Sequence, residues 1–176
     1  CVMSIPDYAA RNYTLMRLAL QHRDVTLWAT ANPSTILELL RTLNENTEEM
    51  IQDIEHGTIS DLFDIPYFIR EELYAYVSPK PERADELRQI LQEKGKLEPR
   101  DFWPWLQYLS TWKCGNTKIY MDKYMDQFDW DKTFYQELGY IATECRFGFS
   151  LDDTNESVLF PQFHCYEFVE ESELDS

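Results

Sequence analysis

Val25-Thr26-Leu27-Trp28-Ala29-Thr30 is the stretch that decides the fold. It is short, apolar, β-branched and aromatic, as a buried parallel strand should be. Asn32-Pro33 closes it and opens a helix. Asn32 or Ser34 can cap the first turn, where Pro33 is tolerated because the N–H it lacks has no partner there anyway. Ile36, Leu39, Leu40, Leu43, Met50, Ile51 and Ile54 keep helical spacing, which predicts a long helix stopped by Gly57. Strand, tight turn and helix make half of a βαβ unit, with Thr30 to Pro33 at the strand's carboxyl end.

Reading outward gives the same alternation. Tyr8, Leu15, Leu18 and Ala19 predict a helix from Asp7 to His22. Leu62, Ile65, Ile69, Leu73 and Val77 predict one or two more before the Ser78-Pro79-Lys80-Pro81 hinge, and Pro81 to Leu87 starts another with acids in its first turn. The charges of this region read mostly as a solvated face. Leu106 to Trp112 is a second strand candidate, Lys113-Cys114-Gly115-Asn116 a turn, and Ile119, Tyr120, Tyr124 and Phe128 a short helix with an aromatic face. Thr133 to Ala142 is a third strand candidate. Phe160, Phe163, Tyr166 and Phe168 favour a strand at the sheet's edge or in an appended hairpin. The expected fold is therefore α/β, a single subdomain over residues 1–176 with a mostly parallel sheet flanked by helices. In such sheets ligands bind beyond the carboxyl ends of the strands, where the turns 30–33, 112–116 and 140–144 would converge.

A net charge of −16 repels a phosphate backbone and argues against nucleic acid as a partner. It leaves room for one small phosphate ligand held by local dipoles and a cation. Cys1, Cys114, Cys145 and Cys165 show no CxxC pair, so neither a zinc ribbon nor a disulfide scaffold is expected, and reduced thiols point to the cytoplasm. No apolar run approaches the ~20 residues that span a bilayer, so no membrane association is expected. His22, His56 and His164 lie far apart without partners at catalytic spacing, and no catalytic histidine is proposed.

The third strand runs into Gly139-Tyr140-Ile141-Ala142-Thr143-Glu144. An aromatic ring, a hydroxyl and a carboxylate at a strand end offer a stacking face, a neutral donor and an anionic metal ligand, a set suited to a nucleotide and its magnesium. The alternative is that Tyr140 and Ile141 are core and Glu144 is the first solvated residue.

Trp103-Pro104, then Ser110-Thr111-Trp112-Lys113-Cys114-Gly115-Asn116, the hexapeptide, and His164-Cys165-Tyr166-Glu167-Phe168 in this order resemble the auxin-responsive acyl acid amido synthetases of the Gretchen Hagen type, their bacterial branch above all. Asn32-Pro33 and Pro81-Glu82-Arg83-Ala84 extend the resemblance over nearly the whole chain. It implies a ligase of the adenylate-forming superfamily, which couples a carboxylic acid to an amino acid through an acyl adenylate made from ATP. By that pattern Tyr140 packs on adenine, the Thr143 hydroxyl meets the α-phosphate, and Glu144 helps hold Mg2+. Ile141 departs from it, since plant members carry a small residue there. Gly115 would let the backbone approach the nucleotide, with Trp112 beside it, and Thr30 and Asn32 would line the acyl side.

The family's glycine- and serine-rich phosphate loop does not occur here, nor does the later aspartate that grips the ribose, nor the mobile carboxyl-terminal domain. The resemblance places the loop before Cys1, itself not a methionine, and the aspartate after Ser176. The chain is thus expected to be the middle of a larger synthetase, part of its amino-terminal lobe, completed by the remaining domains of the parent protein and inactive alone. Two other readings stay open: a non-catalytic acidic α/β interaction domain, and an adenylate-forming acyl-CoA ligase.

Overall fold

Side-chain caps start the first two long helices. Asp7 Oδ1 accepts from Ala10 N at 2.7 Å to open α1, Tyr8–Leu20, and Asn32 Oδ1 accepts from Ser34 N at 3.0 Å to open α2, Pro33–Glu45. The structure, a computed structural model, describes residues 2–113, 117–152, 154 and 156–173.

The long helix expected after Pro33 is two. Asn46, at φ −128°, separates α2 from α3, Thr47–His56. The Asn46 amide donates to Thr42 O and the Thr47 hydroxyl to Leu43 O, both at 2.8 Å, so side chains satisfy the last carbonyls of α2 and let the chain leave the helix. The apolar spacing continues through the break because both helices bury the same face. Gly57, at φ +71°, ends α3 as expected.

Further on come α4 (Tyr67–Leu73), α5 (Pro81–Lys94) and the single turn α6 (Pro99–Phe102). Their charges are not all a solvated face. Arg83 is buried and donates to Leu20 O at 3.0 Å and Phe102 O at 2.7 Å, tying α1 to α6, while Glu86 pairs with it at 2.6 Å. Arg17, fully buried in α1, donates to Thr58 O, Gln21 Oε1 and Asp53 O, each at 2.8 Å. Burial costs an ion several kcal/mol unless such bonds satisfy it, and here each guanidinium nitrogen has an acceptor.

Three parallel strands, β1 (Leu27–Ala29), β2 (Tyr108–Thr111) and β3 (Phe134–Glu137), form a sheet in that order. In register, Trp28, Leu109 and Tyr135 face the core, where Trp28 meets Trp103 edge-on at 5.4 Å and Tyr135 stacks on Trp130 at 5.3 Å. The opposite row, Leu27, Tyr108 and Phe134, is exposed. β1 is thus a half-open edge strand rather than the buried one expected.

The short helix expected through Phe128 is α7, Lys118–Met121, followed by a separate 3-10 turn, Met125–Gln127. β3 stops at Glu137, five residues before the expected end, because the chain turns at Gly139 with φ +91°. Gly148 O and Phe149 Cα lie 2.6 Å from where a Cβ on Gly139 would sit, so the close approach also needs glycine. Ile141 then pairs with Arg146 across a tight hairpin. β4 (Gly148–Phe149) and β5 (Val158–Leu159) make an appended antiparallel pair, and the aromatics from Phe160 to Phe168 lie beyond it, outside any strand. Among the described residues no helix is long and apolar enough to cross a membrane.

Candidate functional site

Of the turns expected to converge, Ala31, Trp112 and the start of the turn after β3 at Leu138 and Gly139 are tied together by hydrogen bonds, while residues 114–116 lie outside the described residues. Thr111 Oγ1 and Trp112 N both donate to Ala31 O, at 3.0 and 3.1 Å, which holds the turn after β1 against the end of β2. Leu138 N donates to Thr111 O and Trp112 Nε1 to Gly139 O, each at 3.1 Å, which holds the turn after β3 on the other side. Lys113 reaches back, its Nζ donating to Tyr135 O at 3.1 Å and lying over the Tyr135 ring. At this rim a cavity of about 310 Å³ is lined by Trp112, Thr117, Glu137, Gly139, Tyr140, Ile141 and Ser157.

The sequence-predicted residues fall into three groups. Trp112 and Tyr140 share that cavity; Trp112 is half-buried, and Tyr140 is 57% exposed with its ring stacked on Phe147 at 4.9 Å. Thr143 and Glu144 are exposed at the tip of the hairpin closed by Ala142 N donating to Cys145 O at 3.0 Å. The carboxylate therefore stands on a turn, not at the end of a rigid strand, and makes no hydrogen bond or ion pair with the described residues. Thr30 lines a different, apolar cavity of about 400 Å³ with Leu15, Trp28, Leu39 and Trp103, while Asn32 is exposed and occupied as the α2 cap. Gly115 lies outside the described residues.

Two residues here escape sequence reasoning. Glu137, 3% exposed, accepts from Gly139 N at 3.0 Å and from Lys113 N at 2.5 Å. The available signal was period two in β3, which puts it on the inward face with Tyr135. His164, expected in a strand and without a partner at catalytic spacing, lies outside any strand, with Nδ1 3.9 Å from Cys145 Sγ and Nε2 3.2 Å from Arg146 O, which pins the tail against the hairpin. Beneath the rim the Tyr124 and Tyr135 hydroxyls meet at 3.2 Å, and burial pushes both phenols above their ordinary range.

A parallel three-stranded sheet flanked by helices defines an α/β fold. The chain belongs to the GH3 family: residues 1–132 match the GH3 family N-terminal domain. Its fold is that of a GH3.15 acyl acid amido synthetase, with a TM-score of 0.69 and 20% identity over 84% of this chain and 27% of that one. A structure of the AtGH3.15 acyl acid amido synthetase in complex with 2,4-DB matches with a TM-score of 0.67 and 21% identity, over 81% of this chain and 25% of that one. The chain thus spans about a quarter of the length of these solved relatives. No curated protein sequence matches it.

Proposed function

We propose that this chain is part of an ATP-dependent acyl acid amido synthetase, which adenylates a carboxylic acid and passes the acyl group to an amino acid. The observation that carries the reading is the tied rim, where Trp112 and Tyr140 flank a cavity at the ends of two parallel strands in a chain of the GH3 family. The acid's carboxylate attacks the α-phosphorus of ATP; a P–O bond forms to the acyl oxygen and the bond to pyrophosphate breaks. The amine of the amino acid then displaces AMP at the carbonyl carbon.

The first step brings two anions together, so the site must align them and screen charge. In this reading the exposed side of Tyr140 packs on adenine and the Thr143 hydroxyl donates to the α-phosphate. Thr30 opens on an apolar cavity that suits the hydrocarbon part of an acid, and Asn32 fixes the helix start beside it. Magnesium in nucleotide sites takes one or two carboxylates plus phosphate oxygens, and the unengaged carboxylate of Glu144 fits that donor set. When bound, the ion supplies positive charge beside the phosphates. The remaining domains of the parent protein bring the phosphate loop and the ribose contact, so the chain alone does not turn over. Cytoplasmic ATP and amino acids are the substrates, with no part for nucleic acid.

Pyrophosphate exchange by the full-length protein over a panel of carboxylic acids tests this. Acid-dependent exchange of label into ATP is expected, and its absence with every acid overturns the reading.

A further inference from the structure

β3 ends on a carboxylate where its inward face calls for an apolar side chain. Glu137 shares that face with Tyr135, and burial there has to be offset by hydrogen bonds to its charge. Two backbone amides supply them, and they come from different segments. Oε1 accepts from Gly139 N, in the turn after β3, and Oε2 from Lys113 N, in the turn after β2. One side chain thereby bridges the two turns that carry Tyr140 and Trp112. The Trp112 indole closes the same bridge from the other side by donating to Gly139 O. Glu137 also lines the cavity between these two rings, so any slackening of the bridge changes the width of that cavity.

The geometry points to Glu137 as a positioning residue that sets the separation of Trp112 and Tyr140, an inference resting on the adenylating reading of this rim. The role needs two acceptor oxygens. Glutamine keeps the volume but offers one acceptor and one NH2 group, so one backbone amide loses its partner and faces another donor. The turns then part while the strand beneath keeps its ladder.

Steady-state kinetics of Glu137→Gln, Trp112→Phe and Tyr140→Ala in the full-length protein tests the inference. Glu137→Gln should raise the KM for ATP about tenfold and change kcat less than about threefold, since a loosened ring weakens binding more than chemistry. Trp112→Phe, which removes the indole donor together with part of the ring that lines the cavity, should raise it about threefold. In the Tyr140→Ala background Glu137→Gln should add no more than about twofold, because the ring it positions is gone. If Tyr140→Ala raises the KM and Glu137→Gln leaves it unmoved or lowers kcat alone, the positioning role is overturned and the nucleotide reading stands. If Tyr140→Ala leaves the KM unmoved, the reading of the rim fails and the inference with it. Should Glu137→Gln not fold, Glu137→Asp takes its place, since it keeps two acceptors on a shorter side chain that cannot span both turns, and an unmoved KM for ATP in that variant overturns the role.

Discussion

Asp53 and Glu137 are both buried carboxylates, and the regions around them are built on different logic. Asp53, 4% exposed, accepts from the Tyr13 hydroxyl and Thr58 Oγ1 at 2.6 Å and from Ser60 N at 2.7 Å, next to the fully engaged Arg17. The Tyr13 bond locks α1 against α3, and the Thr58 and Ser60 bonds fold the segment after Gly57 back onto the end of α3. Glu137 accepts backbone amides of two turns that lead out to an open cavity and an exposed hairpin. In the helical body a buried charge fixes elements to each other; at the rim it fixes the surface those elements present.

The contrast is sharpest in Asp53→Ala. Removing this carboxylate leaves the Tyr13 hydroxyl and the Ser60 amide without partners and Arg17 without a neighbouring charge. Breaking one side of such a network costs about 3–5 kcal/mol. Urea unfolding of this chain should show a loss of that size, and a loss under about 1 kcal/mol would mean that the body is not held by its buried charges.

These charges also mark where the sequence stopped being legible. Apolar spacing, Asn32-Pro33 and Gly57 announce helices by local rules, the β-branched, aromatic run at 25–30 announces β1, and the strand candidates Leu106 to Trp112 and Thr133 to Ala142 contain β2 and β3. The partners of Tyr13 and Asp53 are 40 residues apart, so spacing cannot tell this pair from solvated groups. The same blindness turned Arg83 into surface and left Glu137 unread. Asn46 and Gly139 were missed for another reason: apolar periodicity runs straight through both, and only the hydrogen bonds of the break show that the element has ended. For the candidate site, the convergence of strand ends was readable from the topology rule. The hairpin that carries Thr143 and Glu144 was not, because it depends on the left-handed turn at Gly139.

The two regions should also separate under alkali. Burial, aided by Asp53, raises the Tyr13 phenol in the body, and burial raises Tyr124 and Tyr135 beneath the rim. The folded state then keeps protons that the unfolded chain releases near pH 10. This contribution is fully present below about pH 10 and is lost as the pH climbs through the raised folded values. Unfolding free energy should therefore fall with pH above about 10, and replacing Tyr124 and Tyr135 together by Phe should remove the share of the slope that belongs to the rim. A slope unchanged by that double replacement would assign the whole effect to the body.

Least should happen to folding at the hairpin tip. Glu144 is exposed and bonded to none of the described residues, so Glu144→Ala should move the melting temperature by less than about 2 °C. The same substitution in the full-length protein should slow acid-dependent pyrophosphate exchange on the order of a hundredfold if, as proposed, Glu144 holds the ion that screens charge in the transition state. A residue that matters to chemistry and not to stability is what a rim built to present groups should contain. An unchanged exchange rate would take Glu144 out of the site and leave Tyr140 and Trp112 as its only tested side chains; a large fall in melting temperature would instead make the hairpin part of the body.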